Sequence, residues 1–195
     1  MARPQTYNHN QVLESAMQLF WRKGYVSTSV KDLTKATNLQ PGSLYGAFSS
    51  KRSLFIDSIE YYFDQLHHEI SNILNSNGQP LQKIRQLFEY LIKRITSNND
   101  KSCLLLNTLI EVPAEDDEIR QKVARMLHTI EQQFNELLIE AQRNGELACG
   151  LKPESAAMML MSGIFGIQVY NRMQPDEVVL RQIVNNLLSS LEKTG

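Results

Sequence analysis

Two cysteines in 195 residues are too few for a disulfide framework, and that fits a reducing compartment. Long alternating strand patterns are missing, while the six prolines and nine glycines sit mainly between periodic segments. Together these absences predict an all-α chain. No apolar run reaches the ~20 residues of a membrane span; the longest, Ala156 to Tyr170, is interrupted by Ser162 and Gln168. With no signal peptide ahead of the first helix, the expected location is cytoplasmic, with no membrane partner. Gly-rich phosphate loops, nucleophile elbows and HExxH are absent too, so there is no catalytic residue to name and an enzyme has no support. Asp64, His67 and His68 share one helical turn, yet no third Cys or His follows at ligand spacing. A solvated polar face is the simpler reading, and neither a metal nor another cofactor is expected.

Charge is scarce in total but unevenly placed. The chain carries a net −1. Up to Phe55, however, seven basic residues (Arg3, Arg22, Lys23, Lys31, Lys35, Lys51, Arg52) face only Glu14 and Asp32. A basic end on an acidic body is the footprint of a module that meets phosphate.

The segment Ser27 to Lys51, STSVKDLTKATNLQPGSLYGAFSSK, carries the most information. Val30, Leu33 and Ala36 repeat at the spacing of a buried helical stripe. Ser29, followed three residues later by Asp32, forms a capping pair. Asn38 supplies a corner because Asn enters the left-handed region cheaply. Pro41 then fits the first turn of a second helix, where its missing N–H costs nothing. In that short helix Leu44 and Phe48 face inward, whereas Gln40, Ser43 and Tyr45 face outward. So few apolar contacts predict a helix whose purpose is recognition.

Gly42 to Phe55, GSLYGAFSSKRSLF, is similar to the helix–turn–helix end of the TetR/AcrR family of bacterial transcriptional regulators, and the leading segment from Val12 to Tyr25 matches as well. Many members carry Tyr or His where Gly46 and Ala47 stand here, and a turn glycine where Asn38 stands. The resemblance implies an N-terminal three-helix DNA-binding domain, residues 1–50, and a larger helical ligand-binding and dimerisation domain, residues 51–195. It implies a homodimeric repressor that leaves a palindromic double-stranded DNA operator when a small-molecule effector binds. Gln40 and Ser43 are expected to meet base edges, with Pro41 and Gly42 in the same surface. Tyr45 is expected on phosphate and a thymine methyl, Lys51 on phosphate, and Ser29 and Lys31 on the flanking backbone.

Beyond the motif, periodicity predicts long helices from Ser50 to Asn77-Gly78, from Leu81 to Ile95 and from Ile119 to Asn144-Gly145, with a short one from Cys103 to Glu111 and a last one beginning near Pro175. A helix opened by Pro153 is apolar almost all round and must be covered on every side. Residues 153 to about 191 therefore read as half of a four-helix dimer interface, Gly163 and Gly166 admitting the partner backbone. Tyr62, Phe88, Asn107, Phe134 and Phe165 are candidate effector-pocket residues. Cys103, opening a helix with Lys101 nearby, is a candidate redox or electrophile sensor, since the segment looks like one found in responsive members of the family. Equally, it is a small hydrophobe at the head of an apolar run. A helical small-molecule-binding protein and a non-specific architectural DNA binder are the other classes to separate.

Overall fold

The computed structural model describes residues 7–97, 103–113, 116–174 and 176–193. Those residues form α1 (His9–Lys23), α2 (Val30–Thr37), α3 (Pro41–Phe48), α4 (Lys51–Leu74), α5 (Pro80–Ser97), α6 (Leu104–Glu111), α7 (Asp117–Arg143), α8 (Pro153–Met173) and α9 (Glu177–Ser189). The chain is all-α: among the described residues, extended pairing is limited to one isolated antiparallel bridge between Leu147 and Glu192. Two compact units divide it, Met1–Leu66 with Cys103–Val123, and His67–Ser102 with Ala124–Gly195.

In the first unit, α1 packs against α2 and α2 against α3. Val12, Leu13, Ala16, Met17 and Phe20 form the buried face of α1, Leu33 that of α2, and Leu44 and Phe48 that of α3. Aromatic rings tie the group to the start of α4: Phe55 meets Phe20 edge-on at 4.9 Å and stacks on Tyr25 at 4.4 Å. Gly24 ends α1 at φ +83°, a conformation an L side chain rarely adopts. A Cβ there would also strike the Glu111 carboxylate, whose Oε1 accepts the Val26 N–H at 2.8 Å. Thus α6 belongs with the N-terminal helices, a tie that sequence spacing does not reveal.

In the second unit α5, α8 and α9 pack on one another. Arg85 joins α5 to the C-terminal end of the chain, donating to Asn185 Oδ1 at 2.9 Å and to Glu192 Oε1 at 2.8 Å. Ala156, Ala157, Leu160, Met161, Ile164 and Ile167 are the buried apolar side of α8. Its other side is bare: Met158, Val169 and Met173 are 57%, 48% and 78% exposed. With Ser162 and Phe165 they follow one line at i, i+4, i+7, i+11 and i+15. Gly163 departs from expectation. Its open side is filled from within, by Leu187 of α9, so it serves an intrachain contact rather than a partner's backbone. Around Gly166 there is open space.

No described helix is long and apolar enough to cross a membrane. Pro175, expected to open the last helix, lies outside the described residues; Asp176 is the N-cap of α9, accepting from Val178 and Val179.

Candidate nucleic-acid interface

Capping and turn chemistry set α2 and α3. Ser29 Oγ accepts the Asp32 N–H at 3.2 Å, and Asp32 Oδ2 accepts the Ser29 N–H at 2.8 Å, a closed capping box. Ser29 also donates its hydroxyl to Asp32 at 2.6 Å, which commits its only side-chain donor within the chain. Lys23 adds an ion pair to the same carboxylate at 2.5 Å. Hydrogen bonding from Lys23, then from Ser29, holds the Asp32 carboxyl well below the usual carboxylate range. Asn38 takes the left-handed corner at φ 55°, ψ 29°. Pro41 occupies the first turn of α3, and Gln40, its N-cap, makes no side-chain cap bond.

The result is a short helix with a dry side and a wet one. Leu44 and Phe48 are 1% and 3% exposed, while Gln40, Pro41, Gly42, Tyr45 and Gly46 are exposed and Ser43 is half-buried. A second corner follows at Ser49, φ 60° and ψ −42°, strained for a residue with a Cβ. Ser50 Oγ then accepts the Ser53 N–H at 3.0 Å and starts α4. Nothing in the sequence marked Ser49; a glycine would have done so.

Lys51 lies in the first turn of α4, where the helix dipole disfavours a cation. Its Nζ sits 4.6 Å from the centroid of the Tyr25 ring, an attraction that offsets the dipole. Burial pushes its ammonium down, and the nearby Glu111 charge pushes it up. Arg52 is paired within the chain: it donates to Asp116 Oδ1 at 2.8 Å and to Glu118 Oε2 at 2.9 Å. The hydrogen bond from Arg52 holds the Asp116 carboxyl low. Lys23 and Arg52 are therefore neutralised, whereas Lys31 and Lys35 are exposed on α2 and form no ion pair among the described residues. Over its whole length the first unit carries nine basic and ten acidic residues. Its basic character belongs to one part, not to the unit.

The candidate effector residues are divided between the units. Tyr62, 2% exposed and edge-on to Trp21 at 5.0 Å, falls in the first unit with half-buried Asn107; fully buried Phe88 and Phe134 and half-buried Phe165 fall in the second. An open groove of about 710 Å³ in the first unit is lined by residues including Asn8, Gln11, Ser15, Thr37, Asn38 and Tyr61, and by none of those five. Cys103 is the N-cap of α6 and half-buried, and Cys149 is exposed. Lys101 lies outside the described residues. Among the described residues no group of three His, Cys, Asp or Glu could hold a metal ion.

Comparison with known proteins identifies this architecture. Residues 12–57 match the model of bacterial regulatory proteins of the tetR family, and residues 80–187 match the tetracyclin repressor-like C-terminal domain. The HTH-type transcriptional repressor DhaR of Mycobacterium sp. (strain GP1) is 26% identical over 196 residues, 98% of this chain and 97% of DhaR. The HTH-type transcriptional repressor ComR of Escherichia coli (strain K12) is 25% identical over 148 residues, 74% and 70% of the two chains. Among solved structures, a cysteine mutant of the TetR-family regulator CifR, complexed with 26-bp double-strand operator DNA, superimposes with a TM-score of 0.87. It is 25% identical, with 96% of this chain and 99% of that one covered. The family is one of regulators rather than catalysts, and α1 to α3 with the larger helical remainder reproduce its plan. The chain belongs to the TetR family of bacterial transcriptional regulators.

Proposed function

We propose that this protein is a cytoplasmic, homodimeric repressor whose α3 reads a palindromic operator and whose larger helical part answers a small-molecule effector. The wet side of α3 carries the reading: a helix start whose Gln40 makes no side-chain cap bond, beside the two exposed lysines of α2. Gln40 and Ser43 read base edges, with Pro41 and Gly42 setting how closely the helix start approaches. Tyr45 and Lys51 contact phosphate, as does Lys31. Ser29 acts through its cap, fixing the N-terminus of α2 against the flanking backbone. Residues 1–50 supply DNA binding; residues 51–195 supply effector binding and dimerisation, the latter through the bare line on α8. Within the second unit we assign effector recognition to Phe88, Phe134 and Phe165; Tyr62 and Asn107 are separate candidates within the first. An effector acts by binding more tightly to a state whose recognition helices do not fit the operator. The repressor names of DhaR and ComR and the operator complex of CifR support this reading.

The test is a duplex selected from a randomised pool, compared with unrelated duplex at fixed salt. Specific binding should exceed non-specific by ~10³ or more. Equal affinity for both points to an architectural protein, and no affinity for either points to a ligand-binding protein.

A second reading rests on Cys103. Cys103 is the N-cap residue of α6, a position where the helix N-terminus favours thiolate, and α6 is tied through Glu111 to Val26 in the same unit. Under it, low doses of oxidant or reactive aldehyde release the operator, Cys103→Ser keeps DNA binding without that response, and modification reaches Cys103 before Cys149. Slow labelling of Cys103, only as the protein unfolds, removes this reading and leaves reversible effector binding.

A further inference from the structure

Gly46 has no internal reason to be glycine. It lies in the body of α3, and its backbone does not take the positive φ that favours glycine. A Cβ built on it meets nothing within 4 Å. In such a place alanine holds a helix better than glycine does, and α3, eight residues long with two glycines, has little helix stability to spare. The usual justifications for an interior glycine are a special backbone angle or a close approach by another group. The first is excluded by the dihedral. Among the described residues no group makes the second.

The approaching group must therefore come from outside, on the exposed side of α3 one turn beyond Gly42, between Tyr45 and the small Ala47. We propose that Gly46 is a specificity-determining position: its bare Cα accepts the C5-methyl of a thymine in the major groove, the apolar group that distinguishes T·A there. A Cβ at 46 would fill that space and hold the helix off the base edge. This rests on the DNA-binding reading of α3 and adds one base identity per half-site to it.

Three measurements on the full-length protein and its selected duplex test the proposal. Replacing thymine by deoxyuridine, one position at a time, removes only the methyl. One symmetry-related pair of positions should lower wild-type affinity by about fourfold per half-site, the value of one buried methyl-sized group. Gly46→Ala should raise the thermal midpoint, bind the selected duplex at least tenfold more weakly, and bind unrelated duplex as the wild type does. At the sensitive thymine the variant should no longer distinguish thymine from deoxyuridine. Wild-type affinity and base preference in Gly46→Ala overturn the proposal, as does a duplex in which no thymine methyl matters to the wild type, and in both cases the DNA-binding reading stands. A wild-type protein with no preferred duplex overturns that reading first.

Discussion

Among the described residues both α3 and α8 leave a face exposed, and the two faces are opposite in chemistry. Along α3 the open side offers an amide, a phenol, a hydroxyl and two glycines, over a core of only Leu44 and Phe48. Along α8 it offers Met158, Phe165, Val169 and Met173, interrupted by Ser162 alone. Water satisfies the first until a partner rich in hydrogen-bonding groups replaces it. It does not satisfy the second, and an apolar line on a helix already buried on its other side fits a like surface from a second copy. What an uncovered face is made of thus indicates what covers it. Flexible methionine stems repack readily against a twin, whereas the small, fixed outline of α3 suits a partner of fixed geometry.

Exchanging the chemistry of the α8 face should have the largest effect. Met158→Glu with Val169→Glu places carboxylates where a single chain leaves them in water, so the fold should survive. In a dimer the same groups are buried unpaired, and association should weaken at least about a hundredfold. Sedimentation at micromolar concentration should show monomer, with the helical circular dichroism unchanged. A double variant that remains dimeric breaks the comparison, because the face would then not be an interface.

The α3 side is next in size. Gln40→Ala should narrow the gap between operator and unrelated duplex by about tenfold or more, the loss of one base-reading side chain. Lys31→Ala should weaken both duplexes alike and lower the salt slope by roughly 1. Lys23→Ala is the contrast, since its ammonium is already held by Asp32 and should leave the slope unchanged. A slope change at Lys23 as large as at Lys31 would show that intrachain pairing does not decide which cations meet phosphate.

Most of this plan is legible in the sequence because it is local. Capping at Ser29 and Asp32, the corner at Asn38 and Pro41 at a helix start are each decided within four residues, and each stands as predicted. The stripe Ile119, Val123, Met126, Ile130, Phe134, Leu137 and Ala141 is buried throughout. Features that join distant residues are not legible. The pairing of Arg52 with Asp116, 64 residues away, commits a basic residue of the motif to a carboxylate of its own chain. Glu111 reaches Val26 across 85 residues, and Leu187 takes the space beside Gly163. Hydrophobic period states that a face is buried, not by which element, and charge counting includes cations that a distant carboxylate has neutralised.

The contact at Glu111 gives a smaller effect and sharpens the account of how the DNA-binding face is held. Its carboxylate accepts the Val26 N–H and lies against Gly24. Glu111→Ala should cost about 1.5 kcal/mol, the low end for a hydrogen bond to a charged group, and destabilise the α1–α2 connection. Amide exchange at Val26 should accelerate while exchange in α8 and α9 stays as it was. Uniform acceleration across the chain would mean that the contact supports global stability instead.

The smallest effect is a dependence on pH that the two faces should not share. The bare line of α8 contains no titratable side chain, so dimerisation should be level through mild acid. In the first unit the carboxylates are tuned in opposite directions. Hydrogen bonds from Lys23 hold Asp32 low and those from Arg52 hold Asp116 low, while burial and then the Glu60 charge push Asp57 up, against smaller opposing effects of His9 and Lys122. Asp32 and Asp116 contribute stability that is complete above the unfolded value of about 3.9 and drains as pH falls through their lower folded values. Asp57 works the other way: the folded chain takes its proton first, so acidification through its raised value adds stability. Asp57→Asn should therefore raise the thermal midpoint slightly at neutral pH and remove the gain seen on mild acidification, with the loss at stronger acid left in place. A variant less stable than wild type at neutral pH would mean that attraction to His9 and Lys122 outweighs burial at this site. If dimerisation followed the same pH profile, the interface would have to include titratable groups, and the bare face of α8 could not be all of it.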